Sequence, residues 1–128
     1  MSNITVYHVI VDELTFENYR LIRDLAYKAD ENKAKLTDMF INDEYWDRVA
    51  EIENTTLNDA YRLTNSIDCG WWENEEVESL FDGEGAKSTD IGDLMLVEIP
   101  LEPETENDAI SHFELWIVAP VGFVKIDG

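Results

Sequence analysis

The sequence is poor in basic residues and has a single cysteine, and each shortage excludes a class of protein. Only 9 of the 128 residues are Lys or Arg, against 29 Asp and Glu, so the formal net charge is -20. Nucleic acids and anionic membranes are themselves polyanions, so we expect no direct binding to either. Cys69 has no second cysteine to pair with, which excludes an internal disulfide and is typical of a reducing cytoplasm.

Long apolar runs and targeting signals are also missing. No stretch approaches the roughly 18 apolar residues of a membrane-spanning helix. The start, Met1-Ser-Asn-Ile4, lacks the basic and apolar regions of a secretory signal, so we expect a cytoplasmic protein. Hydrophobic residues make up 45% of the chain and include four tryptophans, which is enough for the packed core of one domain spanning residues 1–128.

The spacing of apolar residues predicts an α+β fold. Helical periods of three or four residues occur in four segments: 16–29, a stretch beginning at Thr37 or Asn42 and reaching Ile52, 57–67, and 73–82. Thr56 and Asp59 have the spacing of an N-cap and its partner at the start of the third segment.

Strand patterns flank these helices. Residues 4–11 are almost continuously apolar and β-branched, and 94–99, 113–118 and 123–126 predict a C-terminal meander of three strands. Together they predict a small antiparallel sheet, formed by the N-terminal strand and the meander and covered by several helices.

A series of short motifs runs through the second half of the chain: Leu63-Thr-Asn-Ser-Ile67, Trp71-Trp-Glu-Asn74, Ser88-Thr89, Gly92-Asp93 and Ala119-Pro-Val-Gly-Phe123. This order resembles a group of small, largely uncharacterised proteins encoded by bacteriophages and plasmids. The resemblance covers about residues 61–126, and Lys87 stands where the group has an arginine. The resemblance implies a mobile-element origin and an intracellular host setting. It assigns no chemical role to any residue of this chain.

No catalytic, cofactor or metal motif is apparent, so we expect no enzyme. His8 lies within an apolar strand, and His112 lies beside another. Cys69 has acidic neighbours, whose negative charge raises the pKa of a thiol rather than activating it. Gly92-Asp93 before an apolar strand predicts a tight turn, because glycine supplies the positive φ and aspartate caps its own turn.

The negative charge is concentrated in one part of the chain. Residues 1–36 contain five basic and six acidic residues, whereas residues 37–128 contain four basic and 23 acidic residues. Self-repulsion makes such concentration costly. The lysine-bearing helix within residues 1–36 does not share this excess of acidic residues. Adaptation of the whole protein to a salty habitat is therefore a poor explanation of the negative charge, and a basic partner is a better one.

Acidic residues recur at helical spacing within two of the predicted helices. Asp43, Asp47 and Glu51 are four residues apart, about 6 Å along a helix, and residues 73–84 hold six acids and no base. Such ladders resemble the charge pattern of a nucleic-acid backbone. The predicted partner-binding residues are Asp43, Asp47, Glu51, Glu73, Glu75, Glu76, Glu78, Asp82 and Glu84.

Two functions are favoured over a third, an enzyme or metal-binding domain whose site leaves no recognisable motif. The first is a nucleic-acid mimic that occupies the basic nucleic-acid-binding surface of a host protein, as a phage-encoded inhibitor of restriction, CRISPR or a similar defence would. The alternative is an acidic regulatory module that binds through an aromatic patch around Trp71 and Trp72, with the charge serving solubility only. The sequence leaves a homodimer open in both cases.

Overall fold

The computed structural model describes residues 2–10, 16–42, 45–65, 71, 76–80, 88–100 and 111–128. Its strands are β1 (Ser2–Val9), β2 (Trp46–Thr55), β3 (Glu78–Ser79), β4 (Leu94–Pro100), β5 (Ser111–Val118) and β6 (Phe123–Asp127). Its helices are α1 (Phe16–Tyr27), a 3₁₀ turn (Ala29–Glu31), α2 (Lys33–Asn42) and α3 (Leu57–Leu63).

Within the described residues, six strands form one antiparallel sheet in the order β3-β2-β1-β4-β5-β6. The prediction of a small sheet made of the N-terminal strand and the meander is therefore wrong, although the arrangement is α+β. β4, β5 and β6 form the predicted meander, with Leu94 opposite Ile117 and Val118 opposite Phe123. β1 lies in the same sheet as the meander, as predicted. It pairs with β4 and also with β2, which the sequence indicates as helix.

Helices pack on both faces of the sheet. Because successive side chains of a strand point to opposite sides, β1 contributes buried residues to both faces. Ile4 and Val6 of β1 belong to a buried cluster with Ala60 and Leu63 of α3. Val9 belongs to a second cluster, on the opposite face, with Ile22 of α1 and with α2. We call these sides the α3 face and the α1/α2 face.

Two β-bulges in β2 explain why this strand resembles a helix in the sequence. Its register with β1 shifts between Val6 and Tyr7 and again between Ser2 and Ile4. A bulge adds one residue and reverses the alternation of side chains. Buried positions consequently fall at Trp46, Val49 and Ala50, which is the i, i+3, i+4 spacing of a helix.

The helices match the predictions unequally. α1 and α3 are confirmed, and the Thr56 hydroxyl accepts a hydrogen bond from the Asp59 backbone N–H at 3.2 Å. The second helical stretch is wrong beyond Asn42, where α2 ends, and α2 begins at Lys33 rather than at Thr37 or Asn42. In the predicted helix at 73–82, Glu78–Ser79 is instead strand β3, while 73–75 and 81–82 lie outside the described residues.

Candidate interaction surface

Four of the nine predicted partner-binding residues are described, and all four are exposed: Asp47, Glu51, Glu76 and Glu78. The other five lie outside the described residues: Asp43, Glu73, Glu75, Asp82 and Glu84. The described four lie on β2 or at β3, close to one edge of the sheet.

The predicted helical ladder through Asp47 and Glu51 is wrong. Asp47 is opposite His8 in the β1–β2 ladder and Glu51 is opposite Thr5. His8 and Thr5 are three residues apart on a strand and point to opposite faces. The bulge between Asp47 and Glu51 thus places the two carboxylates on different sides of the sheet.

Glu51 and Glu78 instead form a cross-strand pair. They are directly opposite each other in the β2–β3 ladder. Directly opposed side chains of an antiparallel pair have Cβ atoms about 4.5–5.5 Å apart, and like charges at that position destabilise the pair. The two carboxylates at this edge therefore repel each other, and a bound cation would relieve that repulsion.

An acidic groove surrounds this pair. It has a volume of about 480 Å³, and Ile52, Leu63 and Val77 contribute its apolar lining. Five acidic residues and one arginine are among those that line it: Glu51, Glu53, Asp59, Glu76, Glu78 and Arg62. The lining of the groove thus combines acidic and apolar residues, which suits the charged head and aliphatic stem of Arg or Lys.

Among the described residues that line the acidic groove, Arg62 is the basic one. Arg62 lies 3.8 Å from Asp59, one turn earlier on α3, and both side chains are more than half exposed. Exposed ion pairs of this kind contribute little to stability.

On the α1/α2 face, burial raises the pKa of Tyr7. The positive charge of Arg48 opposes that rise, and the negative charge of Glu51 adds to it.

The structure removes Trp71 from the predicted aromatic patch. Its side chain is 2% exposed and belongs to the cluster on the α3 face. The ring meets the His8 imidazole edge to face, with centroids 5.9 Å apart. Trp72 lies outside the described residues, so Trp71 offers the alternative function no exposed aromatic surface.

A buried polar cluster joins β1, α3 and the segment before β4. The His8 Nε2 atom lies 2.9 Å from the Thr89 hydroxyl, which lies 2.6 Å from the Thr64 hydroxyl. Asp93 is completely buried and accepts hydrogen bonds from the backbone N–H groups of Val9 and Asp90.

This cluster does not have the geometry of a nucleophilic triad. Both Thr89 and the Asp93 carboxylate, at 3.9 Å, approach the same imidazole nitrogen, Nε2. In a triad the acid orients the base through the other nitrogen. Thr89 is also only 1% exposed, so a substrate has no access to its hydroxyl. We therefore assign the cluster a structural role.

The predicted tight turn at Gly92-Asp93 is confirmed. Gly92 has φ +96°, and the Asp93 N–H donates to the Asp90 carbonyl at 3.0 Å. The turn also anchors its surroundings, because the Trp46 indole N–H donates to the Gly92 carbonyl. Several of the short sequence motifs lie near one another here, since the Gly92 N–H donates to the carbonyl of Val118, which precedes Ala119, and Thr64 contacts Thr89.

Sequence reasoning missed Glu53 and Asp59 as members of the acidic groove. Glu53 follows Glu51 by two residues, the spacing that places side chains on one side of a strand. A spacing of two residues has this meaning only in a strand, and the sequence of β2 has the buried spacing of a helix. The sequence indicates Asp59 only as a capping partner of Thr56, because its proximity to β2 and β3 depends on the tertiary fold.

Comparison with protein-family models, curated proteins and solved structures found no match. Among the described residues, no three His, Cys, Asp or Glu side chains are grouped so that they could hold a metal ion. In the same part of the chain, no helix has both the length and the apolar character needed to cross a membrane.

Proposed function

We propose that this protein is an acidic interaction protein that mimics nucleic acid and occupies the basic nucleic-acid-binding surface of another protein. In this proposal it acts in the cytoplasm of a host cell, as an inhibitor of a DNA-handling or defence system. The observation that carries the proposal is the acidic groove, whose lining includes five acidic residues from β2, α3 and the β3 segment and one arginine.

Charge and shape in the groove favour a basic partner. Asp59 already has Arg62 beside it, whereas Glu51 and Glu78 are opposed to each other across the ladder. An arginine or lysine placed between them would exchange a repulsive pair for charge-assisted hydrogen bonds. When the acidic groove binds to the basic surface of such a partner, it displaces the DNA or the salt anions that occupy that surface. The affinity of the complex should therefore fall as the salt concentration rises.

The test compares two variants with equal net charge. The groove variant carries Glu51→Gln, Glu53→Gln, Glu76→Gln and Glu78→Gln. The control carries Glu17→Gln, Asp24→Asn, Glu31→Gln and Asp38→Asn, four exposed carboxylates of the helices on the α1/α2 face. Each variant is four charges less negative than the natural chain and keeps the size of every side chain.

Binding is measured by calorimetry with a lysine- and arginine-rich peptide, and by capture from host lysate followed by elution with double-stranded DNA. We expect the groove variant to lose at least 100-fold in affinity, since two charge-assisted contacts are worth about 3 kcal/mol together. The control should lose far less. Captured proteins should be basic and released by DNA or by high salt.

Equal losses in the two variants would mean that overall charge and not the acidic groove directs binding. Captured proteins that DNA fails to displace would contradict mimicry, even if the groove variant no longer captures them. A complex that is insensitive to salt would contradict the electrostatic basis of the proposal.

A further inference from the structure

We infer that the opposite edge of the sheet, at β6, is the contact of a two-fold symmetric dimer in which β6 of one copy pairs antiparallel with β6 of a second copy. This inference is independent of the proposed function. It concerns the β6 edge, which we define as β6 together with the two grooves that border it.

The first argument is the open hydrogen-bonding edge. β6 is the terminal strand in the sheet order, and among the described residues no strand pairs with its outer side. Such an edge presents N–H and C=O groups that can pair with another strand. The Thr37 hydroxyl of α2 donates to the Ile126 carbonyl at 3.1 Å, so this carbonyl is already bonded and a second strand would pair with the residues of β6 that precede it.

The second argument is the apolar surface beside the strand. A groove of about 450 Å³ near the start of β6 is lined by Tyr27, Val121 and Val124 among others. A groove of about 440 Å³ near its end is lined by Ile41 and Ile126 among others. Val121 is 92% exposed and Ile41 is 70% exposed, so each of the two grooves displays an uncovered apolar side chain.

Two-fold symmetry brings these two grooves together. In an antiparallel β6 pair, the start of one strand lies beside the end of the other. Val121 of one copy then lies against the groove that holds Ile41 of the second copy, and the same contact occurs twice. The six strands of each copy would join in one continuous sheet, with α1 and α2 of both copies on the same face.

The third argument is charge, which selects this edge over the other. The charged residues of β6 and its two grooves are three lysines and four acids: Lys28, Lys33, Lys125, Asp30, Glu31, Asp38 and Asp127. Lys33 and Lys125 also have acidic neighbours within the same chain, Asp30 and Glu114. The β6 edge is thus nearly neutral in a protein of net charge -20.

Distance further reduces the repulsion between two copies. The acidic groove lies at the β2–β3 edge, five strand spacings of about 4.8 Å from β6. That separation of about 24 Å exceeds the Debye length of about 8 Å at physiological ionic strength. Two copies can therefore approach through β6 while their acidic grooves stay far apart.

The test measures the mass of the full-length protein by light scattering and sedimentation across concentration, at low and high salt. We expect a species of twice the 14.8 kDa chain mass, and tighter association at high salt because salt screens the repulsion between copies. Val121→Glu and Ile41→Glu should each weaken the dimer at least ten-fold. Both side chains are exposed in the monomer, so its circular dichroism should not change.

Leu21→Glu is the matched control, because Leu21 is 43% exposed on α1 and lines neither groove. Hydrogen exchange supplies a direct readout: amides of β6 should become protected as protein concentration rises. A natural chain that stays monomeric up to about millimolar concentration would overturn the inference. So would a dimer that survives Val121→Glu combined with Ile41→Glu, or one that leaves β6 exchange unchanged.

Discussion

Replacing Asp93 with asparagine should destabilise the fold, although the two side chains have nearly the same shape. The Asp93 carboxylate is fully buried, and its two oxygens accept from different donors: Oδ1 from the Val9 N–H at 2.9 Å and Oδ2 from the Asp90 N–H at 2.8 Å. Asparagine has only one acceptor oxygen. One of these two backbone donors would therefore face an NH₂ group.

The expected loss follows from these contacts. A hydrogen bond to a charged group contributes about 1.5–3 kcal/mol, and an unsatisfied buried donor costs about 1–3 kcal/mol. The remaining bond also weakens when its acceptor becomes neutral. Removing a buried charge offsets part of this, so we expect a loss of about 2 kcal/mol or more in the free energy of unfolding. Stabilities of domains are typically about 5–15 kcal/mol, which makes this a measurable fraction.

Urea unfolding followed by tryptophan fluorescence measures this change, with an unchanged slope confirming that only stability has altered. Asp47→Asn is the control, since Asp47 is exposed on β2. A loss for Asp93→Asn below about 0.5 kcal/mol, the range of ordinary surface substitutions, would refute the assignment of Asp93 as the acceptor that fixes the turn to β1.

Three further predictions concern stability. Trp71→Ala should cost about 3–5 kcal/mol in urea unfolding, because its buried ring packs between α3 and the sheet; a cost below 1 kcal/mol would contradict its place in the core. Gly92→Ala should lower the melting temperature, since φ is +96° and a Cβ would lie 3.3 Å from Ile22 Cγ2; Gly122→Ala, also at positive φ but with open space around it, should be milder. Burial raises the pKa of Tyr7 above its usual value of 10.0, so the stability that its neutral form contributes is complete below pH 10 and is lost as the pH rises through the higher folded-state pKa. Tyr7→Phe should therefore unfold less readily above pH 10, with the exposed Tyr27→Phe as control, and equal alkaline unfolding of the natural chain and Tyr7→Phe would disprove this linkage.

Features whose signal lies within a few neighbouring residues were predictable from the sequence. The short, largely apolar runs of β4 and β5 indicate two strands, and each strand lies within two residues of its predicted bounds. α3 begins where Thr56 and Asp59 indicate a cap. Gly92-Asp93 forms its turn because positive φ and side-chain capping are properties of those two residues.

Features that depend on pairing between distant segments were decided by the tertiary structure. β2 is a strand because β1 pairs with it, and its two bulges give its sequence the period of a helix. β3 has two residues, too few to leave a periodic signal, and exists through its pairing with Ala50 and Glu51. The same long-range contacts bury Trp71, which only the alternative function places in an exposed aromatic patch with Trp72.

The acidic character of the surface was present in the sequence, but its arrangement was not. A net charge of -20 and the excess of acids after residue 36 follow from composition alone. Which carboxylates share a surface depends on strand register: one bulge separates Asp47 from Glu51, while pairing with β3 brings Glu51 opposite Glu78. Side-chain alternation has a period of two residues, so a single added residue moves every later side chain to the other face, and only the folded partner strand determines where that residue is added.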